Sequence, residues 1–275
     1  MPVLSILKTA AAGAMLGLML VFPLQTAQSA LYALTIFVTS VLPALLPFSI
    51  CALLLTAGKR LPASLLALMG LVGGSPAGAR LFAQAALSPA QARRYAAATG
   101  AMTPMFFLAT LSQWLNSPAD ARLVLLCHLA AALLMGALLP AGGSAMVRLP
   151  PLSVPRAVFE GAQAMLTVAA CVVLGTVGAS LLSCALPRLP ALPRAIAQCL
   201  LEVTSGCRSL IGLSLPRALL LPLLSAFTSL GGAAILLQNA AFWQRHGLSF
   251  PRLLLLALPR AGIAFWVCII AVHMV

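Results

Sequence analysis

Acidic side chains are almost missing from this chain of 275 residues: three are Asp or Glu, against sixteen Lys or Arg. Charged residues of both signs make up 7% of the sequence, whereas soluble domains average about a quarter. Polar groups this scarce cannot cover a globule in water. The composition therefore excludes a soluble enzyme and a secreted disulfide scaffold, and it predicts that the chain is surrounded by lipid.

Long polar stretches are scarce too, and hydrophobic residues account for 62% of the chain, with a mean hydropathy of +1.10. A helix that crosses a bilayer needs roughly 20 apolar residues, and lipid cannot satisfy irregular backbone. We therefore predict an all-α polytopic membrane protein with about seven to nine hydrophobic segments. The predicted segments are residues 9–25, 31–57, 62–87, 92–115, 122–140, 157–186, 194–215, 219–243 and 253–274.

The first apolar run is followed by small and polar residues, 26–30, which resemble a signal-peptide cleavage region. Eight further apolar segments make a separate export signal unnecessary, so an uncleaved first helix is the favoured interpretation. Residues 1–30 are accordingly assigned to an N-terminal membrane helix.

Metal-binding and nucleic-acid-binding patterns are also lacking. The seven cysteines form no CxxC pair and lie in apolar stretches, and the three histidines have no spaced partners. The net charge of +13 could suggest nucleic-acid binding, but the basic residues are scattered singly at the ends of apolar runs. We expect no metal, no cofactor and no nucleic-acid partner, and we interpret the basic residues as signals for membrane orientation.

A polar connection at residues 141–156 divides the chain into two predicted repeats, 31–140 and 157–275. The glycine pair Gly73-Gly74 has a counterpart 158 positions later, Gly231-Gly232, and each pair is followed by a glutamine and a Ser/Pro turn. Gly-broken segments at matching positions of two halves are typical of transporters with internal repeats. The alternative is a chance match, because Gly is common in membrane helices.

The distribution of basic residues between the two sides of the membrane indicates which segments cross it. If all nine segments cross, the two sides receive eight and five basic residues, which is a weak bias. If segments 62–87 and 219–243 instead turn back at their Gly pairs, the division becomes ten against three. The positive-inside rule therefore favours seven spans, two re-entrant hairpins and a cytoplasmic N-terminus.

The first predicted hairpin holds the best candidates for solute binding. Two glycines and a proline break the helix there, and the freed N–H groups near residues 77–80 form an end that can bind anions. Arg80 could grip a carboxylate or phosphate, or it could extend to the interface. The candidate residues are Gly73, Gly74, Ser75, Pro76, Gly78 and Arg80.

Glu202 and Arg208 are opposite charges inside one apolar segment, which predicts a structural ion pair or a proton-coupled gate. Further candidates for the solute site are the polar or helix-breaking residues Thr103, Pro104, Thr204, Gly206, Gly231, Gly232 and Gln238. For Thr103-Pro104 and Gln238, a hydrogen bond between helices is the simpler interpretation. A remote alternative is an intramembrane serine protease, with Ser75 as nucleophile and His128 as base.

Four motifs in order resemble the YlbJ-type sporulation integral membrane proteins, which carry the nucleoside-recognition, or Gate, domain. The motifs are Val41-Leu-Pro-Ala-Leu-Leu-Pro-Phe48, Leu71-Val-Gly-Gly-Ser-Pro-Ala-Gly-Ala-Arg80 with Ser88-Pro-Ala-Gln-Ala-Arg93, Thr103-Pro-Met-Phe-Phe107, and Leu200-Leu-Glu-Val-Thr-Ser-Gly206 with Gly231-Gly232 and Gln238. The resemblance spans about residues 30 to 270. The chain departs from it at Thr99-Gly100-Ala101, where the family has an Asn pair, and near Leu236, where a histidine is frequent.

The resemblance implies a solute carrier distantly similar to concentrative nucleoside transporters, acting in endospore formation in a bacterial cell membrane. It implies a small anionic solute such as dipicolinate, or a nucleoside-like compound, bound between two hairpins. A non-transporting scaffold in spore maturation is the main alternative. A homo-oligomer or spore-maturation membrane partners are compatible with either.

Overall fold

The computed structural model describes residues 2–100, 102–140, 142 and 146–274, and nearly all of them are helical. The helices are α1 (Pro2–Val21), α2 (Pro23–Ile36), α3 (Leu42–Thr56), α4 (Ala63–Gly73), α5 (Ala77–Ala83), α6 (Pro89–Thr99), α7 (Ser112–Leu115), α8 (Pro118–Leu138), α9 (Val154–Ala185), α10 (Ala191–Leu201), α11 (Val203–Ile211), α12 (Arg217–Leu230), α13 (Gly232–Trp243) and α14 (Phe250–Met274). Turns of π-helix join α2 to α3 and precede α7. The short strands β1 (Arg60–Pro62) and β2 (Met146–Arg148) pair antiparallel.

Among the described residues, four helices are long and apolar enough to cross a membrane: α8, α9, the combined stretch Arg217–His246, and α14. A fifth candidate consists of Thr9–Val21 and Pro23–Thr39, which meet at an angle of 106°. The prediction of an all-α polytopic membrane protein is confirmed. The polar residues 26–30, which separate the predicted segments 9–25 and 31–57, lie inside α2, because Pro23 occupies the first turn and starts a new helix before them.

Two halves of the chain repeat the same order of elements: a long helix, a pair of short helices, a broken helix and a long helix. The short pair begins at Ala63 in the first half and at Ala191 in the second, 128 positions later. The broken helix begins at Pro89 and at Arg217, again 128 positions apart. The predicted offset of 158 positions is therefore wrong.

Each pair of short helices folds back on itself. A Cβ on Gly70 of α4 would lie 2.9 Å from the Cα of Gly78 on α5, on opposite sides of the break at Gly74. In the second half, a Cβ on Gly206 of α11 would clash with the backbone of Cys199 on α10. Glycine at the crossing point lets two backbones approach closely, as in other membrane helix pairs. We refer to α4–α5 as the first hairpin and to α10–α11 as the second hairpin.

The segment 219–243, predicted to be a hairpin, is instead a broken span. Gly231 ends α12 in a left-handed conformation, and α13 continues to form the 30-residue stretch. This stretch runs along α14, whose Ala257 lines a small cavity with Leu236 of α13 and whose Arg260 contacts Ser229 of α12. The segment 194–215, predicted to cross, forms the second hairpin. The structure has two hairpins, as predicted, but the second is formed by the segment before the predicted one.

Because α10–α11 forms the second hairpin and 219–243 crosses, Arg217 lies on the other side of the membrane from its predicted position. Arg217 is ion-paired with Asp120 at 2.8 Å, so these residues and the neighbouring Arg122 share one face. Arg60 pairs with Arg148 in the β-ribbon at the opposite end. We call the end with Arg60 and Arg148 the first face and the end with Asp120 and Arg217 the second face. When Arg217 alone is moved, the predicted division of ten basic residues against three becomes nine against four.

Apolar contacts join the two halves of the chain. Phe82 of the first hairpin stacks on Tyr95 of α6, with ring centroids 4.6 Å apart, and on Trp243 of α13, at 5.9 Å. The predicted linker 141–156 lies partly outside the described residues, at positions 141 and 143–145. Its described part contains β2 and the start of α9.

Candidate functional site

The tip of the first hairpin, residues 73–76, meets the break in the first broken helix. A Cβ on Gly74 would lie 2.5 Å from the backbone nitrogen of Thr103, and Gly74 has a φ of 65°. Thr103 donates its hydroxyl to the carbonyl of Val72 at 3.1 Å. Ser75 donates to the side-chain oxygen of Asn239 on α13 at 2.8 Å. The first tip therefore contacts both halves of the protein.

The tip of the second hairpin is Glu202. Its carboxylate caps α11, accepting hydrogen bonds from the backbone N–H of Thr204 at 2.9 Å and of Ser205 at 2.7 Å. Next to this tip lies the break of the second broken helix, where a Cβ on Gly232 would lie 2.7 Å from the carbonyl oxygen of Cys199. Each hairpin tip thus packs against the break of its own half. Because the hairpins start from opposite faces, the two tips approach from opposite directions.

The predicted pair of Glu202 and Arg208 does not form. Backbone N–H groups already satisfy the Glu202 carboxylate, and Arg208 lies more than a turn further along α11. The Arg208 guanidinium donates to the hydroxyl of Tyr32 on α2 at 3.0 Å and lies 5.9 Å from the Trp114 ring centroid. Arg208 therefore ties the second hairpin to α2 and α7.

Arg80 points away from the first tip. Its Nη2 lies 3.2 Å from the carboxylate of Glu160 on α9. Glu160 also accepts from Gln84 at 2.7 Å and from Arg156 at 3.1 Å. The remaining terminal nitrogen of Arg80 is buried and has no hydrogen-bond partner among the described residues. The predicted role of Arg80 in binding a solute anion stays a prediction, and the carboxylate that Arg80 binds here belongs to the chain itself.

The backbone donors expected after the first break are partly used. The N–H of Gly78 bonds to the carbonyl of Gly74 at 3.2 Å, and the N–H of Arg80 bonds to that of Pro76 at 2.9 Å. Gly78 also packs against Gly70 and Thr99. These contacts hold the hairpin closed.

Arg260 is the charged residue that joins the two breaks. It lies in the middle of α14 and is 1% exposed. Its guanidinium donates to the carbonyls of Ala97 at 2.6 Å, Gly100 at 2.8 Å and Ser229 at 2.6 Å. These carbonyls lie at the ends of α6 and α12, where the helical ladder supplies no donor. In the sequence, Arg260 is a basic residue inside the predicted segment 253–274, away from either end.

His128 occupies the position in the first half that Arg260 occupies in the second. The helices α8 and α14 begin at Pro118 and Phe250, 132 positions apart, and His128 and Arg260 are separated by the same number. The Nδ1 atom of His128 lies 2.8 Å from the hydroxyl of Ser229. Since Ser75 bonds to Asn239, the Ser75–His128 pair required by the protease alternative is not formed.

A polar cleft of about 400 Å³ lies beside the second hairpin, between it, α2 and α9. Its lining carries amide and hydroxyl groups on a surface that is otherwise mostly apolar, and no charged side chain from the described part of the chain lines it. The lining residues are Gln25, Gln28, Ser29, Tyr32, Thr176, Ala179, Ser180, Ser183, Cys184, Gln198 and Ser205. Two hydrogen bonds cross it, from Gln25 to Ser180 at 2.6 Å and from Gln198 to Ser183 at 2.9 Å.

This polar cleft was not predicted, although the spacing of polar residues in the sequence indicates it. The polar residues of α2 recur at 25, 28, 29 and 32, and those of α9 at 176, 180 and 183. These spacings place each set on one face of a helix. Each of the two helices is amphipathic, but its polar residues are the minority and occupy one face. Residues 26–30 had been interpreted as resembling a signal-peptide cleavage region instead.

Of the predicted site residues, the structure gathers Gly73, Gly74, Ser75, Pro76 and Thr103 at the first tip, with Pro104 next to it, and Glu202, Thr204, Gly231 and Gly232 at the second tip. Gln238 is buried on α13 beside Asn239. Gly78, Arg80, Gly206 and Arg208 lie along the hairpin arms and serve contacts between helices.

Within the described ranges, no group of three or more His, Cys, Asp or Glu residues is placed to hold a metal ion. Comparisons with known proteins return no match: no family model, curated protein or solved structure is similar to the chain. The functional interpretation therefore depends on the geometry of the site and on the sequence motifs.

Proposed function

We propose that this integral membrane protein is a transporter that carries a small polar solute past the tips of its two hairpins. The observation that carries the proposal is the meeting, inside the protein, of two hairpin tips with two broken helices, one of each from each half. Broken helices place backbone polar groups at membrane depth, which is tolerated only where protein or a cavity covers them. Such breaks at matching positions of two repeats are typical of transport sites.

The order of elements supports alternating access. We infer three crossing segments in each half, namely α2–α3, α6–α7 and α8 in the first and α9, α12–α13 and α14 in the second, so the second half has the opposite orientation to the first. The hairpins accordingly start from opposite faces, and each can open a route from its own face while the other stays closed. Contacts such as Ser75 to Asn239 then hold one route shut and would break when it opens.

The resemblance to sporulation integral membrane proteins supports a role in endospore formation and two classes of solute, dipicolinate and nucleoside-like compounds. A dicarboxylate needs cationic partners, and the free nitrogen of Arg80 is a candidate. A nucleoside-like compound needs neutral hydrogen-bonding groups, which Ser75, Thr103 and Asn239 offer. A membrane scaffold for spore maturation is the alternative, and it requires no solute route.

Uptake into vesicles that contain only this protein tests the proposal. Labelled dipicolinate and labelled uridine are each offered with no gradient, a proton gradient or a sodium gradient. We expect uptake of one of them above that of protein-free vesicles, and slower uptake by Asn239→Leu, which removes the acceptor for Ser75. Gln163→Leu, on the exposed face of α9, is the matched control and should transport normally. Folded protein that takes up neither solute would contradict transport and favour the scaffold.

Glu202 is our candidate for proton coupling, although its carboxylate also caps α11. Glu202→Gln keeps the shape of the side chain and cannot titrate, so coupling predicts uptake that no longer responds to a proton gradient. Uptake that retains the normal response would assign Glu202 a capping role alone. Normal uptake by Ser75→Ala would dispose of the protease alternative, since a nucleophile cannot be replaced by alanine.

A further inference from the structure

We propose that the polar cleft between α2, α9 and the second hairpin binds a neutral, hydroxyl-bearing molecule of sugar or polyol size. Binding in the cleft does not depend on the transport function proposed above; only the later passage of the bound molecule through the protein depends on it. The cleft is separate from the residues of the two tips that the sequence singled out.

The polar cleft offers both donors and acceptors, and these are held in place. Tyr32 accepts a hydrogen bond from Arg208, which orients the phenol and leaves its own O–H to donate. Gln25 donates its amide N–H to Ser180, which leaves the amide oxygen of Gln25 and the hydroxyl proton of Ser180 available. On the other side Gln198 donates its amide N–H to Ser183, which leaves the amide oxygen of Gln198 available, while the Ser183 hydroxyl donates to the carbonyl of Ala179. A hydroxyl group is both donor and acceptor, so it matches this lining.

The charge of the lining selects a neutral molecule. Among the described residues no charged side chain lines the cleft. The two nearest charged groups lie outside the lining and already have partners: two backbone N–H groups for the Glu202 carboxylate, and the Tyr32 hydroxyl and the Trp114 ring for the Arg208 guanidinium. An ion placed in the cleft would lose hydration without a direct counter-charge among the lining side chains, which is costly. A neutral ligand exchanges its hydrogen bonds to water for hydrogen bonds to Gln, Ser, Thr and Tyr at much lower cost.

The size and position of the cleft fit a binding site. Its volume of about 400 Å³ falls within the usual range for small-molecule pockets. Its floor reaches the second tip: Ser205, which lines the cleft, donates its hydroxyl to the carbonyl of Glu202 at 3.2 Å. A Cβ on Gly175, next to the lining residue Thr176, would lie 3.2 Å from the Cβ of Glu202. A molecule bound in the cleft therefore lies directly outside the second hairpin.

A native thiol reports occupancy. Cys184 lines the cleft, whereas Cys171, on the same helix, does not. The unmodified protein in phosphatidylcholine nanodiscs is treated with a maleimide, and each cysteine peptide is quantified by mass spectrometry. The probes are glucose, ribose, inositol and glycerol, with succinate as the charged comparison. With a probe at about ten times its Kd, labelling of Cys184 should slow about tenfold while labelling of Cys171 is unchanged.

The lining variants test the chemistry. Thr176→Val and Ser180→Ala each remove one hydroxyl at nearly constant volume and should weaken protection by about tenfold, the effect of losing one hydrogen bond of about 1.4 kcal/mol. Thr167→Val is the matched control, because Thr167 lies on α9 outside the cleft and bonds to the carbonyl of Gln163. Lack of protection by every neutral probe, whether free or as a lipid headgroup, or equal protection by succinate, would overturn the proposal.

The neutral group could come from a free solute or from the headgroup of a glycosyl lipid. Nanodiscs with and without a glycosyl diacylglycerol separate these sources: protection by free sugar identifies a solute, and protection only in the glycolipid discs identifies a headgroup. With neither, the site is refuted. The vesicle assay keeps this test distinct from the transport proposal. Protection of Cys184 without uptake into vesicles would support the binding site and contradict the transport proposal. Uptake without protection would support transport and contradict the binding site.

Discussion

Arg260 donates to the backbone carbonyl of Ser229 from two of its nitrogens, at 2.9 Å from Nε and 2.6 Å from Nη2. Ser229 lies one residue before the end of α12, and its carbonyl is exposed by the break that follows. The same guanidinium reaches the end of α6. One side chain therefore neutralises the negative ends of two broken helices in the membrane interior, and it couples the two halves.

Replacement of Arg260 by methionine should destabilise the protein severely. The carbonyls of Ala97, Gly100 and Ser229 would lose their donors in a site without water, at a cost of roughly 3 to 5 kcal/mol. Arg260→Lys should recover part of this loss, because a single ammonium keeps the charge but cannot reach all three carbonyls. Thermal unfolding in detergent, followed by size-exclusion chromatography, measures the effect.

The control for Arg260 is Arg252 at the start of the same helix. Arg252 is exposed and donates to the carbonyl of Gly247 at 2.6 Å. Arg252→Met should change stability by less than about 1 kcal/mol, since exposed polar contacts are weak. Equal losses for the two variants would show that the buried network around Arg260 has no special role.

Gly206→Ala should prevent the second hairpin from closing. The added Cβ would clash with the backbone of Cys199, and neither backbone can move without opening the hairpin. Overpacking of this kind costs roughly 1 to 3 kcal/mol or more. Gly262→Ala is the matched control, because Gly262 also lies inside a helix and a Cβ there meets nothing within 4 Å. Folded yield and unfolding temperature should fall for the first variant, and for the second they should stay level or rise. The hairpin assignment is wrong if both alanines are tolerated alike.

Removing Glu160 alone should destabilise the protein more than removing Arg80 and Glu160 together. Glu160→Leu leaves the buried Arg80 guanidinium without its counter-ion, which should cost roughly 3 kcal/mol. Arg80→Met with Glu160→Leu removes both charges and should lie closer to wild type than Glu160→Leu alone. A double-mutant cycle of unfolding in detergent gives the coupling energy. Additive losses would show that the two charges act independently.

Cysteine labelling from each side of the membrane tests the corrected topology. Cysteines at Arg122 and Arg217 should react from the same side, because Arg217 is paired with Asp120 on the second face. Cysteines at Arg60 and Arg148 should react from the opposite side, because these residues are partners in the β-ribbon. Arg93→Cys, in α6 next to the first face, should behave like the ribbon positions. Reaction of Arg217→Cys from the side of Arg93→Cys would restore the hairpin at 219–243.

The apolar segments and their helical state could be predicted because each depends on local composition and on the lack of water in the bilayer. The second hairpin could not be placed. Gly231-Gly232 and Glu202-Val203 both interrupt a helix, and a break in sequence does not state the angle between the two pieces. That angle is set by packing: the glycine at 206 lets α11 return along α10, whereas α13 is held in line with α12 by α14.

Part of the candidate site could also be predicted from the sequence, and part could not. The residues of both tips were found from the sequence, since Gly, Pro and a carboxylate are conspicuous in an apolar stretch. Their partners were not, because Ser75 and Asn239 are 164 positions apart and Arg260 acts on carbonyls, which carry no mark in the sequence. The polar cleft was missed because its residues lie on three separate elements.

The sequence by itself determined that this chain is a helical membrane protein, which parts of it are apolar, and which residues break the helices. It did so because burial in lipid and helix breaking are properties of short stretches of chain. Only the tertiary structure decided which breaks turn back, which face Arg217 occupies, and that Glu160 pairs with Arg80. Those outcomes depend on contacts between residues far apart in the chain, and such contacts form only when the two halves pack together.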